Sequence, residues 1–182
     1  MFLMARAGRS VKHMDIIKMR RSVRRFTGAP ISKSDIEKIC DAGSQAPSAM
    51  NQQLERYFVT LDPEKIKGVK ELLDGNAEFL EEAGAFVLVL YEKKETRTFD
   101  MVVCDLGAVV ENMLLKATEL KIGSCWIGLL NREARIERVR NYFKIPEKYL
   151  LYAAIGFGVP KDDKAFFDKK KSYLDKMFWE KF

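Results

Sequence analysis

The longest amphipathic pattern in the 182-residue sequence runs from Phe99 to Leu120, and it constrains the fold more than any other segment. Its apolar residues recur at three- and four-residue steps, namely Val102, Val103, Leu106, Val109, Val110, Met113, Leu114, Ala117 and Leu120. This spacing predicts a long helix with one deeply packed face. Gly107 and Ala108 would let another helix approach closely, which fits a dimer interface as well as packing within one chain.

Shorter patterns around this helix indicate a single α+β domain. The segment 85–91 is apolar at every position, which is typical of a strand in the middle of a sheet. The other predicted elements are helices over 15–22, 34–44, 63–73, 77–82 and 132–143, and strands over 57–61, 124–127 and 149–157. Ser34 and Glu37 form a predicted capping box for the second helix, and Asn131 is the predicted cap of the last one.

The charge of the sequence favours an anionic partner. Hydrophobic residues make up 47% of the chain, but the formal net charge is +6, which suits a nucleotide-like cofactor, a nucleic acid or an acidic membrane surface. The apolar runs are too short to cross a bilayer, and residues 1–12 lack the apolar core of a signal peptide. We interpret residues 1–13 as an N-terminal extension or a cloning remnant, and residues 14–182 as one domain.

The scarcity of histidine and cysteine restricts the chemistry. His13 is the only histidine, which argues against a Ser-His-Asp triad, a Cys-His dyad and a zinc site. We therefore expect no metal. Cys40, Cys104 and Cys125 are too few for a disulfide framework and form no CxxC pair, which predicts a protein of the reducing cytoplasm. Because the apolar runs are short, we expect no membrane partner. Chemistry must therefore come from a cofactor or from carboxylates, unless the chain carries out none.

The stretch RRSVRRF, from Arg20 to Phe26, concentrates four arginines and a hydroxyl. Arginine forks match phosphate oxygens, so the stretch predicts a phosphate-bearing ligand, although a solvated surface or a weak nucleic-acid patch has the same composition. If the preceding helix continues, Arg20 and Arg24 share one of its faces. A glycine-rich phosphate loop is missing from the sequence, because Gly156 and Gly158 form only a bare GxG.

A second polar stretch, APSAMNQQ at residues 46–53, follows the second predicted helix. Its proline and short polar side chains disfavour a regular helix. They leave amides and hydroxyls free to meet a ligand, although an ordinary loop has the same features.

The order of five motifs resembles the nitroreductase family of FMN-dependent oxidoreductases. These motifs are RRSVRRF, APSAMNQQ, the long apolar helix, GSCWIG, and a GFGVP strand end followed by a basic tail. The resemblance implies an α+β fold with a central mixed β-sheet flanked by helices, and a homodimer with a helical interface. It also implies FMN as cofactor, NADH or NADPH as transient reductant, and ping-pong hydride transfer through flavin N5 to a nitroaromatic, a quinone or a similar small acceptor.

The same resemblance assigns cofactor contacts to particular positions and implies no catalytic side chain. The implied cofactor-binding residues are Arg20, Arg21, Ser22, Arg24, Pro47, Ser48, Ala49, Asn51, Gln53, Trp126, Ile127, Gly128, Lys170 and Lys171. The first motif would hold the phosphate and ribityl chain, with Arg24 near the pyrimidine edge of the flavin. The second motif would reach the flavin from the partner subunit. A backbone amide at or next to Ile127 would face N5, and a tail lysine would meet the phosphate.

Two other hypotheses stay open beside this one. Leu54 and Glu55 stand where the family commonly has Pro-Trp, so an FMN enzyme of this fold with different chemistry is one alternative. That chemistry would be dehalogenation, oxidative dehydrogenation or flavin breakdown. The less favoured alternative is a flavin-free basic module that binds nucleic acid, with Tyr173 or Trp179 stacking on bases.

Overall fold

The computed structural model describes residues 15–75, 77–93, 99–162, 164–167 and 176–180. The helices are α1 (Ile16–Met19), α2 (Lys33–Ser44), α3 (Pro63–Lys70), α4 (Phe99–Glu119) and α5 (Glu133–Phe143). The strands are β1 (Glu55–Thr60), β2 (Ala85–Glu92), β3 (Gly123–Gly128) and β4 (Tyr149–Gly158). Short 3-10 helices occupy Ala49–Asn51, Glu71–Leu73 and Glu78–Glu82. The segment 1–13 and the tail residues Lys170, Lys171 and Tyr173 lie outside the described residues.

The four strands form one sheet in the order β1-β2-β4-β3, with antiparallel pairing throughout. As predicted from its apolar run, β2 lies inside the sheet, where Val87 pairs with Ile155 of β4. Parallel pairing within the described residues is confined to an isolated bridge between Ser22 and Ser124. The α+β prediction is confirmed, and the sheet is mixed only through that bridge.

Helices cover both faces of the sheet and bury two apolar clusters. Helices α2 and α4 cover one face, where Val110 and Met113 are fully buried. Helices α3 and α5 and the 3-10 helices Glu71–Leu73 and Glu78–Glu82 cover the other face, where Phe86 and Val139 are fully buried. Each such side chain stabilises the fold by about 1.5–3 kcal/mol. In the part of the chain that the structure describes, no helix combines the length and hydropathy that a bilayer crossing requires.

Two helix starts differ from the prediction. Ser32 caps α2 instead of Ser34, because its hydroxyl oxygen accepts the Asp35 amide at 3.0 Å and its hydroxyl donates to the Asp35 carboxylate at 2.8 Å. Helix α5 begins at Glu133 without a side-chain cap. Asn131 has left-handed backbone at φ 59°, which is not the conformation of an N-cap. At α2 the two serines are only two positions apart, so the sequence offers a capping hydroxyl at either place.

Helix α1 is shorter than predicted, and this changes the geometry of the arginines. It ends at Met19, and Arg20 already has extended backbone at φ −55° and ψ 130°. The prediction that Arg20 and Arg24 share a helix face is therefore wrong. The chain instead runs extended beside β3, where the Val23 amide donates to the Ser124 carbonyl at 2.9 Å.

Candidate functional site

The arginine stretch is fixed to the sheet by its two apolar side chains. Phe26 is fully buried and Val23 nearly so, while Arg24 between them is exposed. Glycines make room for these anchors: a Cβ on Gly123 would lie 2.9 Å from both side chains, and one on Gly158 would lie 2.5 Å from the Phe26 ring. Burying Phe26 contributes about 1.5–3 kcal/mol, which explains why extended pairing replaces the predicted helix.

A pocket of about 260 Å³, termed the arginine pocket, follows this extended stretch. It is lined by residues 21–25, among them the predicted Ser22, and by Asp162, Ala165 and Phe167. The Arg21 guanidinium carbon lies 4.6 Å from the centre of the Phe167 ring, so the ring covers one face of the guanidinium. Three arginines of one short segment therefore line a single small concavity.

Arg21 is only partly satisfied within the arginine pocket. Its Nη1 donates to the Lys18 carbonyl at 2.7 Å and to the Arg20 carbonyl at 2.6 Å. Its Nε and Nη2 are buried, and neither has a hydrogen-bond partner among the described residues. Because a buried donor without a partner costs about 1–3 kcal/mol, this guanidinium is a strong candidate for binding an anion.

Arg20 is placed differently from its neighbour. Its Nε lies 3.1 Å from Oε1 of Glu111 on α4, and it is not among the residues that line the arginine pocket. The pair is partly exposed, so it contributes about 0–1 kcal/mol. Of the two predicted phosphate ligands, Arg21 has free donors and Arg20 is already paired.

Beside the arginine pocket lies a larger depression of about 510 Å³, termed the edge cleft. Arg24 lines both cavities. The other walls of the edge cleft come from residues 125–128 of β3, from Phe79 and Leu130, and from two arginines near the start of α5. Since β3 is the last strand of the sheet, this cleft follows an open sheet edge.

The outward-facing amides of this edge belong to Trp126 and Gly128. The Ser124 carbonyl accepts from the arginine stretch at 2.9 Å, so it points away from β4, whereas the Leu129 amide donates to β4 at 3.1 Å. Backbone groups alternate in direction along a strand, so positions 126 and 128 face outward with Ser124. The Ile127 amide faces β4. The resemblance predicts a flavin-facing amide at or next to Ile127, and only the neighbouring amides of Trp126 and Gly128 face the cleft.

A more apolar cavity of about 370 Å³, termed the aromatic pocket, adjoins the edge cleft. Trp126, Gly128 and Leu130 line both cavities, and Tyr152 completes the aromatic pocket. The Trp126 side chain is 37% exposed, and its ring centre lies 6.1 Å from that of Tyr152. A Cβ on Gly128 would meet nothing within 4 Å, so the space above this glycine is open. Outward amides beside an apolar wall suit a planar heteroaromatic ring.

The nucleophile nearest to this region is held neutral. Cys125 lines the edge cleft and is buried. Burial raises the pKa of its thiol, and the positive charge of Arg24 opposes this effect only in part. A neutral thiol is a poor nucleophile, so the geometry favours chemistry by a bound cofactor over chemistry by this side chain.

The predicted stretch 47–53 forms a strained loop. Met50, Asn51 and Gln53 have left-handed backbone at φ 53°, 54° and 49°. Each such non-glycine residue costs about 1–2 kcal/mol and persists only where its surroundings fix it. Strain of this kind is concentrated at ligand clamps and other functional sites in proteins.

The loop is held by hydrogen bonds to its own side chains and to α4. The Ser48 hydroxyl oxygen accepts the Gln53 amide at 3.1 Å, and the Ala49 amide donates to Oδ2 of Asp105 at 2.9 Å. Within the described chain, no residue of 47–53 lines the arginine pocket, the edge cleft or the aromatic pocket. The structure therefore brings together the motifs RRSVRRF and GSCWIG, and it leaves APSAMNQQ apart from them in the same chain.

Two arginines in the edge cleft were missed by the sequence analysis. Arg135 Nε lies 3.0 Å from Oδ2 of Asp74, and hydrogen bonds from Arg135 and then Arg138 hold the pKa of that carboxyl below its usual range. Arg132 is exposed just before α5, with no side-chain partner among the described residues. The feature of the sequence that could have identified them is a pair of arginines three residues apart, shortly after GSCWIG.

Comparison with known proteins gives concordant matches. The sequence model of the Nitroreductase family matches residues 17–74 and 61–159. A protein of Archaeoglobus fulgidus, provisionally named an NADH dehydrogenase/NAD(P)H nitroreductase, is 37% identical over 156 residues, which span 85% of this chain and 89% of that protein.

Solved structures share the same architecture. A provisionally named NADH oxidase of Clostridium acetobutylicum superposes with a TM-score of 0.85 at 30% identity, over 92% of this chain and 100% of that one. A provisionally assigned nitroreductase of Desulfovibrio desulfuricans, crystallised in complex with FMN, superposes with a TM-score of 0.75 at 25% identity, over 92% and 95% of the two chains.

Proposed function

Because the chain belongs to the nitroreductase family, we propose that it is an FMN-dependent oxidoreductase. It takes electrons from NADH or NADPH and passes them to a small acceptor such as a nitroaromatic or a quinone. The observation that carries this proposal is the juxtaposition of the arginine pocket, with its unpaired buried donors, and the edge cleft, with its outward amides.

The residues of the arginine pocket fit the phosphate of FMN. The free Nε and Nη2 of Arg21 form two parallel donors, which is the arrangement that arginine uses for bidentate phosphate contacts. Ser22 adds a hydroxyl in the same pocket. Arg20 is already paired with Glu111, so it would contribute less than Arg21 to holding the phosphate.

The edge cleft and the aromatic pocket fit the flavin ring. The Gly128 amide faces outward under open space, so it is available to donate a hydrogen bond to the polar edge of the ring. Trp126 offers the neighbouring outward amide and an exposed ring. Arg24 lies where both cavities meet, so its charge would stabilise negative charge on the pyrimidine side.

The proposed mechanism divides the work between cofactor and protein. Bound FMN would supply the redox chemistry that carries two electrons from the reduced nicotinamide to the acceptor. Arg21 would hold the phosphate, and the outward amides of the β3 edge would hold the ring. Cys125 stays protonated and takes no covalent role, and the open face of the cleft admits the two substrates in turn.

We also propose a homodimer, in which the loop 47–53 of one chain completes the site of the other. The loop is strained and bonded to α4, yet it lines none of the three cavities of its own chain. Met50 at its tip is 71% exposed, and Met101 on α4 is 50% exposed. Exposed apolar side chains beside a fixed loop are typical of an interface. A Cβ added to Gly107 of α4 would lie 3.5 Å from the Tyr152 hydroxyl, so this glycine faces its own chain.

The thiols support a cytoplasmic location for this enzyme. Cys40, Cys104 and Cys125 are all free. Burial raises the pKa of Cys40 to about 11, so this thiol is protonated at neutral pH. Free thiols of this kind are usual in a reducing compartment.

One preparation tests cofactor, reaction and assembly together. The purified chain, incubated with FMN and then desalted, should retain one FMN per chain, elute as a dimer and oxidise NADH or NADPH with nitroaromatic and quinone acceptors. FMN retention without turnover of these acceptors would favour the alternative chemistries of the fold. A colourless monomer that binds polyanions with a steep salt dependence would instead support the nucleic-acid hypothesis.

A further inference from the structure

The edge cleft carries more positive charge than the cofactor requires. We propose that Arg132 selects substrates that bear an oxyanion, either the phosphates of a reduced nicotinamide dinucleotide or a carboxylate on an aromatic acceptor. The inference rests on the proposed function, because both substrates would use the cleft beside the flavin. It adds a specificity determinant outside the positions that family resemblance assigns to the cofactor.

All the charged side chains that line the edge cleft are positive. Arg24, Arg132 and Arg135 line it, and within the described residues its other walls are apolar side chains, backbone and the neutral thiol of Cys125. No carboxylate is among these lining residues. A concave wall of one charge concentrates ions of the opposite charge, so an anionic substrate would be enriched at this site.

The three arginines differ in how far they are already engaged. Arg24 also lines the arginine pocket, where the proposed function uses its charge for the cofactor. Arg135 is paired with Asp74 at 3.0 Å. Arg132 is exposed, and no side-chain partner for it exists among the described residues. Of these cations, Arg132 is therefore the one available to a substrate.

The start of helix α5 reinforces the charge of Arg132. Arg132 is the residue at the N-cap, and no side chain accepts a hydrogen bond from the first turn. The Arg135 amide donates to the Arg132 carbonyl at 2.9 Å, whereas the amides of Glu133 and Ala134 have no acceptor among the described residues. These two amides are available to an anion, and the helix dipole places partial positive charge at this end. Glu133 is the acidic residue of the first turn, but it does not line the cleft. The helix has 11 residues, so its dipole is developed.

The test compares charged substrates with neutral counterparts on FMN-loaded enzyme. In the reductant arm, NADPH and NADH are compared with the uncharged 1-benzyl-1,4-dihydronicotinamide. In the acceptor arm, 4-nitrobenzoate is compared with 4-nitrobenzamide. Arg132→Gln should lower the ratio of kcat/KM for the anionic substrate over the neutral one about tenfold in one arm, mainly through KM. Arg132→Lys should restore most of that ratio, because it keeps the charge.

Two further readouts separate substrate selection from a structural effect. The decline of kcat/KM with added salt, for the anionic substrate, should be less steep in Arg132→Gln than in the parent enzyme. The dissociation constant of NADP⁺, measured by flavin fluorescence, should rise about tenfold if the reductant arm responds. Lys144→Gln removes one positive charge from the far end of α5 and should change neither ratio.

The arms identify the source of the oxyanion. A change confined to the reductant arm assigns Arg132 to the phosphates of the dinucleotide, and a change confined to the acceptor arm assigns it to the carboxylate. Unchanged ratios in both arms, in an enzyme that still holds FMN and oxidises NAD(P)H, would overturn the inference and leave the proposed function standing. Loss of FMN binding by the unmodified chain would instead overturn the proposed function.

Discussion

Replacing Arg21 with glutamine should weaken FMN binding and leave the apoprotein about as stable as before. In the structure, Nε and Nη2 of Arg21 are buried without a partner among the described residues, and a phosphate would pair with them. A charge-assisted contact is worth about 1.5–3 kcal/mol, so its loss should raise the dissociation constant of FMN about 10- to 160-fold.

The expected stability of the apoprotein follows from two opposing effects. The substitution removes two hydrogen bonds from Nη1 to backbone carbonyls, worth about 0.5–1.5 kcal/mol each. It also removes the two buried unpaired donors of Arg21, which cost about 1–3 kcal/mol each. The free energy of unfolding of the apoprotein should therefore fall by no more than about 1 kcal/mol.

The assay titrates apoprotein with FMN and follows the quenching of flavin fluorescence, with urea denaturation in parallel. Lys65→Gln is a suitable control, because this exposed lysine on α3 pairs only loosely with Asp62 at 3.6 Å and lines none of the three cavities. A variant that binds FMN as tightly as the parent protein but unfolds more easily would show that Arg21 has a structural role, and the phosphate assignment would be refuted.

Three other substitutions test the supports of the site. Gly123→Ala places a Cβ 2.9 Å from the Phe26 ring, so urea denaturation should show a loss of about 1–3 kcal/mol, with weaker FMN binding. Asp105→Ala removes the acceptor of the loop amide, so FMN should dissociate faster from the dimer in stopped-flow measurements. Asp74→Asn should lower the urea midpoint at pH 7, because Arg135 holds the carboxyl pKa low. That deficit should shrink as the pH falls below the unfolded value of 3.8.

Each of these has a result that would count against it. An unchanged urea midpoint for Gly123→Ala would mean that Phe26 does not anchor the arginine stretch. Asp105→Asn keeps an acceptor oxygen, and an equally fast loss of FMN from this variant would show that the loop hydrogen bond is not the cause. For Asp74→Asn, a deficit that is as large below pH 3.8 as it is at pH 7 would point to lost packing in place of lost charge pairing.

Much of the fold could be predicted because its strongest signals are local. The apolar run of β2 predicts a strand inside the sheet, and the helical spacing of α4 predicts a long helix. Each prediction needs only the residues of one segment, and both are confirmed. Helix α1 was predicted too long because the sequence before Arg20 continues the helical pattern. What ends the helix is the burial of Val23 and Phe26 against Gly123 and Gly158, which lie far along the chain.

For the site, sequence motifs predicted which segments take part but not how their side chains and amides are oriented. Two of the motifs lie in segments that meet in the structure, but they could not show that Arg20 is paired and that Arg21 has free donors. The direction of the β3 amides depends on which residue pairs with β4, and a shift by one position reverses it. Arg132 was missed because its neighbours in the cleft come from other elements.

The most direct test of the proposed function is an anaerobic titration of the FMN-loaded protein with NADH and with NADPH, followed by flavin absorbance. We expect complete bleaching by one equivalent of reductant per FMN, and recovery of the colour when a nitroaromatic or a quinone is added. Flavin that stays oxidised with excess reductant of both kinds would contradict the assignment of this chain as an NAD(P)H oxidoreductase.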